Sequence, residues 1–278
     1  MDTKNVIAAI SLSAAVIILY SLFFAPTVVD QKDISNNKNI TSENSSTDAP
    51  SLVQDEETIK ISRNDALKEN ERVLFENDKI RGSISLIGSS IDDLTFKNYT
   101  NTLNGNDNVI LLNPKQSDNG YYVETGWATT NKNIDLPNSK SLWSIEGSNK
   151  LTPSSPVTLS WTNNQNVLFK KIFEVDENYM FSIRQEIINN SNTDIEVYPY
   201  RAIKRINTPK TIGFFILHEG LISLVDDELL EKSYDNLSED CTKSLQSLKK
   251  SFCDKNSTNA GWLGFTDKYW MSALIPDK

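Results

Sequence analysis

VLFKKIFEVDENYMFSIRQEIIN, residues 167–189, decides the fold class. Phe181, Ile183, Gln185 and Ile187 alternate with Ser182, Arg184 and Glu186, the period of two that one half-buried strand produces. Val167, Phe169, Phe173 and Val175 keep the same period in the preceding run, with Lys171 breaking that face once. The segment between them, DENY, is polar and of hairpin length. Two such runs joined by a short turn predict an antiparallel hairpin. Outward from it the pattern repeats. Ile84, Leu86 and Ile91 sit in a run broken by glycines, and Val109 to Leu112 follow the turn-like NGNDN. Further strands are expected at Tyr121–Trp127, Val157–Trp161, Asp194–Tyr200, Ile212–Leu217, Gly261–Phe265 and Tyr269–Leu274. Only Leu237–Phe252 shows helical spacing, through Leu237, Cys241, Leu245, Leu248 and Phe252. Many short strands with turns between them predict an all-β, antiparallel sandwich beginning at Arg72 and running to Lys278.

The N-terminal part is different in kind. Val6 to Phe24 is an uncharged apolar run whose helix would be about 28 Å long, close to the thickness of a bilayer's hydrocarbon core. The following FFAPTVVD offers no small-x-small cleavage site, so residues 1–26 are expected to be a short cytoplasmic terminus plus an uncleaved anchor. Lys4 and the α-amine favour a cytoplasmic start, which puts the rest outside. Residues 27–71 are rich in Asn, Ser, Thr, Asp and Glu and are expected to form a flexible tether spanning on the order of 35–40 Å. A short helix near Asn64–Glu71 has no packing face to recommend it.

Composition narrows the function. The formal net charge of −9 opposes nucleic-acid binding, which needs a basic face, and opposes docking on anionic lipid through a basic patch. One histidine, His218, cannot supply a His pair, and as the end of the apolar GFFILHEG it reads as a hydrogen-bonded structural residue. Asp92-Asp93 and Asp226-Asp227 are adjacent pairs, and neighbours on a strand point to opposite faces, so neither is expected to form a carboxylate dyad; both sit beside turns. No glycine-rich phosphate loop and no metal-ligand spacing occurs, so no catalytic, cofactor or metal residue is assigned. Trp127, Trp143, Trp161, Trp262 and Trp270 are expected in the core rather than along a carbohydrate groove. Sequons at Asn98 and Asn256 are what an Asn-rich chain contains by chance.

Five blocks in order carry a family resemblance: MDTKNVIAAISLSAAVIILYSLFF, RVLFENDKIRGSISLIGSSIDDLTFKNYTNTL, VLFKKIFEVDENYMFSIRQEIINNSN with VYPYRAIKR, LHEGLISLVDDELLEKSYDNL, and GWLGFTDKYWMSALIPDK. Together they resemble the N-terminal part of the YidC family of membrane-protein insertases. The resemblance implies a β-supersandwich similar to that of galactose mutarotases, lying in the periplasm and anchored in the bacterial inner membrane. It implies a non-enzymatic chaperone that inserts and folds nascent inner-membrane proteins, alone or with the Sec translocon and SecDF. The family's substrate groove lies in later membrane segments. Nothing after Phe24 is long and apolar enough to span, so no groove residue is expected in this chain, and the sandwich is expected to be incomplete at its C-terminal end. The competing reading is an anchored periplasmic module that binds carbohydrate or protein.

Cys241 and Cys253 leave two readings that exclude each other. An oxidising compartment favours a disulfide closing a 13-residue loop, worth about 3 kcal/mol. One straight helix over Leu237–Phe252 would set their Cα atoms about 18 Å apart, beyond the roughly 7 Å a disulfide tolerates. The disulfide is the expected outcome, with the helix bent or broken.

Overall fold

The structure, a computed structural model, describes residues 60–211, 217–237 and 261–277. The expected anchor at Val6–Phe24, both cysteines and nearly all of the Leu237–Phe252 and Ile212–Leu217 segments lie outside those residues. The elements in chain order are α1 (Arg63–Ala66), β1 (Arg72–Glu76), β2 (Ile80–Ser85), β3 (Ile91–Thr100), β4 (Asn108–Leu112) and β5 (Tyr121–Ala128). Then come β6 (Ser144–Glu146), β7 (Lys150–Leu151), β8 (Val157–Thr162), β9 (Val167–Val175), β10 (Phe181–Asn189) and β11 (Tyr198–Arg205). The last four are β12 (Gly220–Val225), β13 (Glu228–Ser233), β14 (Gly261–Asp267) and β15 (Trp270–Leu274).

Three sheets result. The first runs β11-β5-β3-β2-β1-β7, with β4 also on β3; the second runs β10-β9-β8-β6; the third runs β13-β12-β14-β15. Every named pairing is antiparallel except the short β1–β7 contact. The first two sheets close on one core. Val73, Phe75, Ile80 and Ile84 come from one side and Val157, Leu159, Val167, Phe169 and Phe173 from the other, all at most 1% exposed. Each such side chain contributes about 1.5–3 kcal/mol of burial. The sandwich expected from the sequence is therefore present.

Local chemistry explains the registers. β9 and β10 pair from Val167↔Asn189 to Val175↔Phe181, and the Asp176 carboxylate accepts the amides of Asn178 and Met180 in the turn. The β1–β2 turn is built likewise around Asn77, whose Oδ1 accepts the Lys79 and Ile80 amides at 2.8 Å. Its Nδ2 donates to the carbonyls of Asp176 and Asn178, so one buried amide staples the hairpins of both sheets together. Gly82 is fixed by close approach: a Cβ there would stand 1.9 Å from the Asp93 carbonyl and 2.5 Å from the Phe75 ring.

Two expectations are corrected. The strand read at Asp194–Tyr200 starts at Tyr198 and continues to Arg205 along β5. Ile195 and Val197 pack on the core without joining the ladder. The charged end of β11 looked unlike a strand because its cations are neutralised in the fold, Lys204 by Glu124 and Arg205 by Asp267. The pattern also gives no strand over 220–233, where β12 and β13 form a hairpin.

Candidate functional site

His218 is partly buried, and its Nε2 donates to the Leu221 carbonyl at 2.9 Å, the structural role expected of it. Asp226 and Asp227 are the turn of the β12–β13 hairpin, both at positive φ (49° and 67°). Thr266, on β14, donates to the His218 carbonyl and holds the same corner.

Asp92-Asp93 departs from expectation. The pairing steps from Ser83↔Asp93 to Ile84↔Ile91, so Asp92 is the extra residue of a β-bulge at the start of β3, just after the β2–β3 turn. The bulge undoes the alternation that would send the two carboxylates apart. Arg72 donates to Asp92 and, through Nε at 2.7 Å, to Ser83 Oγ. Ser83 Oγ donates to Asp93 at 2.7 Å, and Arg63 of α1 closes the network on Asp93. Burial raises the Asp92 pKa, with Arg72 opposing it. Each carboxylate thus has its own guanidinium, and the network's visible work is to pin α1 and residues 60–71 on the first sheet. Ile61 adds an amide hydrogen bond to the Gln116 carbonyl.

The tryptophans divide. Trp127 and Trp143 are buried and stacked, with centroids 6.3 Å apart, whereas Trp161, Trp262 and Trp270 are partly exposed. Trp270 lies on Phe96 at 4.4 Å and meets Tyr99 at 4.9 Å.

Lys171 is the residue the sequence misjudged most. It does not break the inner face of β9 but lies on it, 1% exposed. Its Nζ donates to Ser89 Oγ at 2.6 Å and to the Thr125 carbonyl, and stands over the rings of Trp143 (4.8 Å) and Trp127 (5.8 Å). Burial brings its pKa down to about 7, with Glu124 pulling upward. Gly88 and Ser89, both at positive φ, bring the β2–β3 loop against it. Gly88 and Lys171 wall a chamber of about 10 Å³ together with Glu124, Thr125, Ser139 and Trp143. A second cavity of about 50 Å³ shares Gly88, Glu124 and Ser139 with it and adds Asn70, Ser90, Asp92 and Tyr122. No single stretch of sequence announces this cleft; a lysine at an inner-face position of a strand is its one legible signal. Among the described residues no group of three or more His, Cys, Asp or Glu is arranged to hold a metal ion.

At its far edge the first sheet meets the third through Arg205. Its Nη1 reaches both Asp267 oxygens (2.9 and 2.7 Å) and the Tyr234 hydroxyl (2.9 Å), and its guanidinium covers Tyr121 at 4.4 Å.

The fold and its polar clusters define an all-β sandwich domain whose ion pairs mostly tie strands of the same sheet, while Arg205–Asp267 joins the first sheet to the third. The chain belongs to the YidC periplasmic domain family, which matches residues 72–278. Its relatives include proteins named membrane protein insertase YidC. That of Pelagibacter ubique is 44% identical over all of this chain and 47% of its own length. That of Cereibacter sphaeroides is 33% identical over all of this chain and 44% of its own. That of Methylorubrum extorquens is 38% identical over 78% of this chain and 35% of its own. The chain therefore spans about half or less of the length of these relatives.

Proposed function

We propose that this chain is the N-terminal portion of an inner-membrane protein insertase and chaperone, with Val6–Phe24 as its anchor, 27–71 as its tether, whose last residues from 60 onward dock on the sandwich, and 72–278 as a periplasmic sandwich. In this reading it works by binding rather than by making bonds. Its partners are nascent inner-membrane proteins, the lipid bilayer through residues 6–24, and the Sec translocon with SecDF. The carrying observation is the match of residues 72–278 to the periplasmic-domain family, together with relatives named as insertases that align over the whole chain. The net charge of −9 is in keeping with a domain that uses neither nucleic acid nor an anionic surface. The full-length gene whose N-terminal portion encodes this chain, expressed in cells depleted of their own insertase, should restore growth and the protease-protected topology of a reporter inner-membrane protein, whereas residues 1–278 alone should not. Accumulation of the full-length product at the membrane without either rescue would refute the reading. Within the same proposal, Cys241 and Cys253 form a disulfide; two thiols titrating in the oxidised, denatured protein would remove it.

A further inference from the structure

We propose that the aromatic end of the sandwich, where the β9–β10 and β14–β15 turns meet the last residues of β3, rests on the zwitterionic headgroup interface of a phospholipid bilayer. The inference rests on reading Val6–Phe24 as an anchor and adds a second point of contact with the membrane. Phe96 of β3, 7% exposed, is the floor of the patch. Trp270 of β15 stacks on it at 4.4 Å, and Tyr179 of the β9–β10 turn meets it edge-on at 5.9 Å. Tyr99, further along β3, closes on Trp270 at 4.9 Å. Around these contacts Tyr99 (45% exposed), Tyr179 (44%), Met180 (57%) and Tyr269 (75%) are left open to solvent. Hairpin turns are ordinarily polar, yet two of them here carry the pairs Tyr179-Met180 and Tyr269-Trp270. Packing within the sandwich does not account for them.

The chemistry of the patch selects its partner. Lys79 Nζ stands 5.3 Å over the Tyr179 ring, and Lys268 Nζ stands 5.2 Å over that of Tyr269. Tyrosine, tryptophan and snorkelling lysine gather at the headgroup level of a bilayer, where a ring meets the upper acyl chains and a polar tip stays wet. Exposed Asp78 and Glu177 lie in the β1–β2 and β9–β10 turns and offset the two ammonium groups. The patch therefore has no net attraction for anionic lipid, and its rings carry the contact. The tether supplies proximity. With residues from 60 onward docked on the sandwich, 27–59 separate anchor and domain, a reach of about 30 Å as a coil. Over that reach even a weak contact acts at an effective concentration on the order of millimolar.

All five tryptophans lie at or beyond Trp127, so quenching of their emission by brominated acyl chains reports on the domain alone. The test places the full chain in phosphatidylcholine nanodiscs brominated near the headgroup end of the chains. Emission should be quenched relative to unbrominated discs. Trp270→Phe should remove most of the quenching, whereas Trp161→Phe and Trp262→Phe should leave it. A double variant, Met180→Asp with Tyr269→Asp, alters only exposed side chains, and aspartate tolerates the φ of 78° at Tyr269. It should cut quenching at least about threefold without shifting the thermal melt. About 1 M salt should change nothing. Unquenched emission in discs that carry the chain would overturn the proposal, and two copies per disc alongside it would assign the patch to a second copy. Quenching carried by Trp161 or Trp262, retained in the double variant, or lost in salt would overturn it too. A chain that fails to co-purify with the discs would bring down the anchor reading as well, which separates the two failures.

Discussion

The amine of Lys171 sits where a leucine would pack, and its surroundings pull in two directions. Burial disfavours the charged form and brings the pKa down to about 7, while two indole faces and two hydrogen-bond acceptors favour it. The unfolded chain holds this proton up to about pH 10.4. Below pH 7 both states are protonated and the cost of burying the charge is fully present. Between pH 7 and 10 the unfolded state binds more protons, so stability should rise with pH, by at most about 1.4 kcal/mol per unit. Urea midpoints of the wild type should therefore climb from pH 7 to 9.5, and those of Lys171→Met should stay flat. Matching slopes would show that the ammonium keeps its proton throughout. The same residue marks a limit of sequence reading. Val167, Phe169, Phe173 and Val175 gave the face correctly, but a lysine among them looked like a breach. Its acceptors, Ser89 and Thr125, are 82 and 46 residues away, and no local pattern reports such partners. Asp92-Asp93 misled for a related reason, since the bulge that re-aims the pair is a property of the ladder with β2.

Strands with clean alternation and a hydrogen-bonding turn were legible; those held by charge pairing were not. β9 and β10 could be read directly, because one face of each is apolar and the turn residues Asp176 and Asn178 cap it. β11 was displaced because Lys204 and Arg205 hide their strand character behind charges that Glu124 and Asp267 neutralise. The β12–β13 hairpin was missed because its two-residue turn is Asp226-Asp227, without the Asn-Gly pair that usually signals two positive φ angles. That turn yields a prediction for the element. At φ 67°, Asp227 bears a side chain in a region that favours glycine. Asp227→Gly should raise thermal stability by about 0.5–1 kcal/mol, and Asp227→Val should lower it by at least about 1 kcal/mol. Circular-dichroism melts of the pair check this, and a loss in the glycine variant would mean that the Asp227 carboxylate contributes more than its backbone costs.

At the scale of the molecule the third sheet is held differently from the other two. The first and second sheets share a continuous apolar core, but among the described residues of the third only Phe265 and Trp270 pack against it. Much of that attachment is polar. Arg205 of β11 clamps Asp267 of β14 and Tyr234 next to β13, and Tyr121 of β5 shares a hydrogen bond with Ser272 of β15. With Arg205 and Asp267 about one-fifth exposed, the pair lies between a surface bridge and a buried one, and its loss should cost about 1–3 kcal/mol. Burial also pushes the Tyr121 phenol up to about 12 and raises that of Tyr234. These neutral phenols stabilise the fold below pH 10, and that contribution is lost as pH rises through 10 toward 12, because the unfolded tyrosines ionise first. Arg205→Met should therefore speed amide exchange across β12–β15 several-fold at neutral pH and leave the amides of β1–β3 and β8–β9 protected as before. Raising the pH toward 12 should selectively lower the protection factors of β12–β15 in the wild type, once exchange is corrected for its base-catalysed intrinsic rate. Loosening spread evenly over all three sheets would show that they unfold as one unit and that the clamp is only one contact among many.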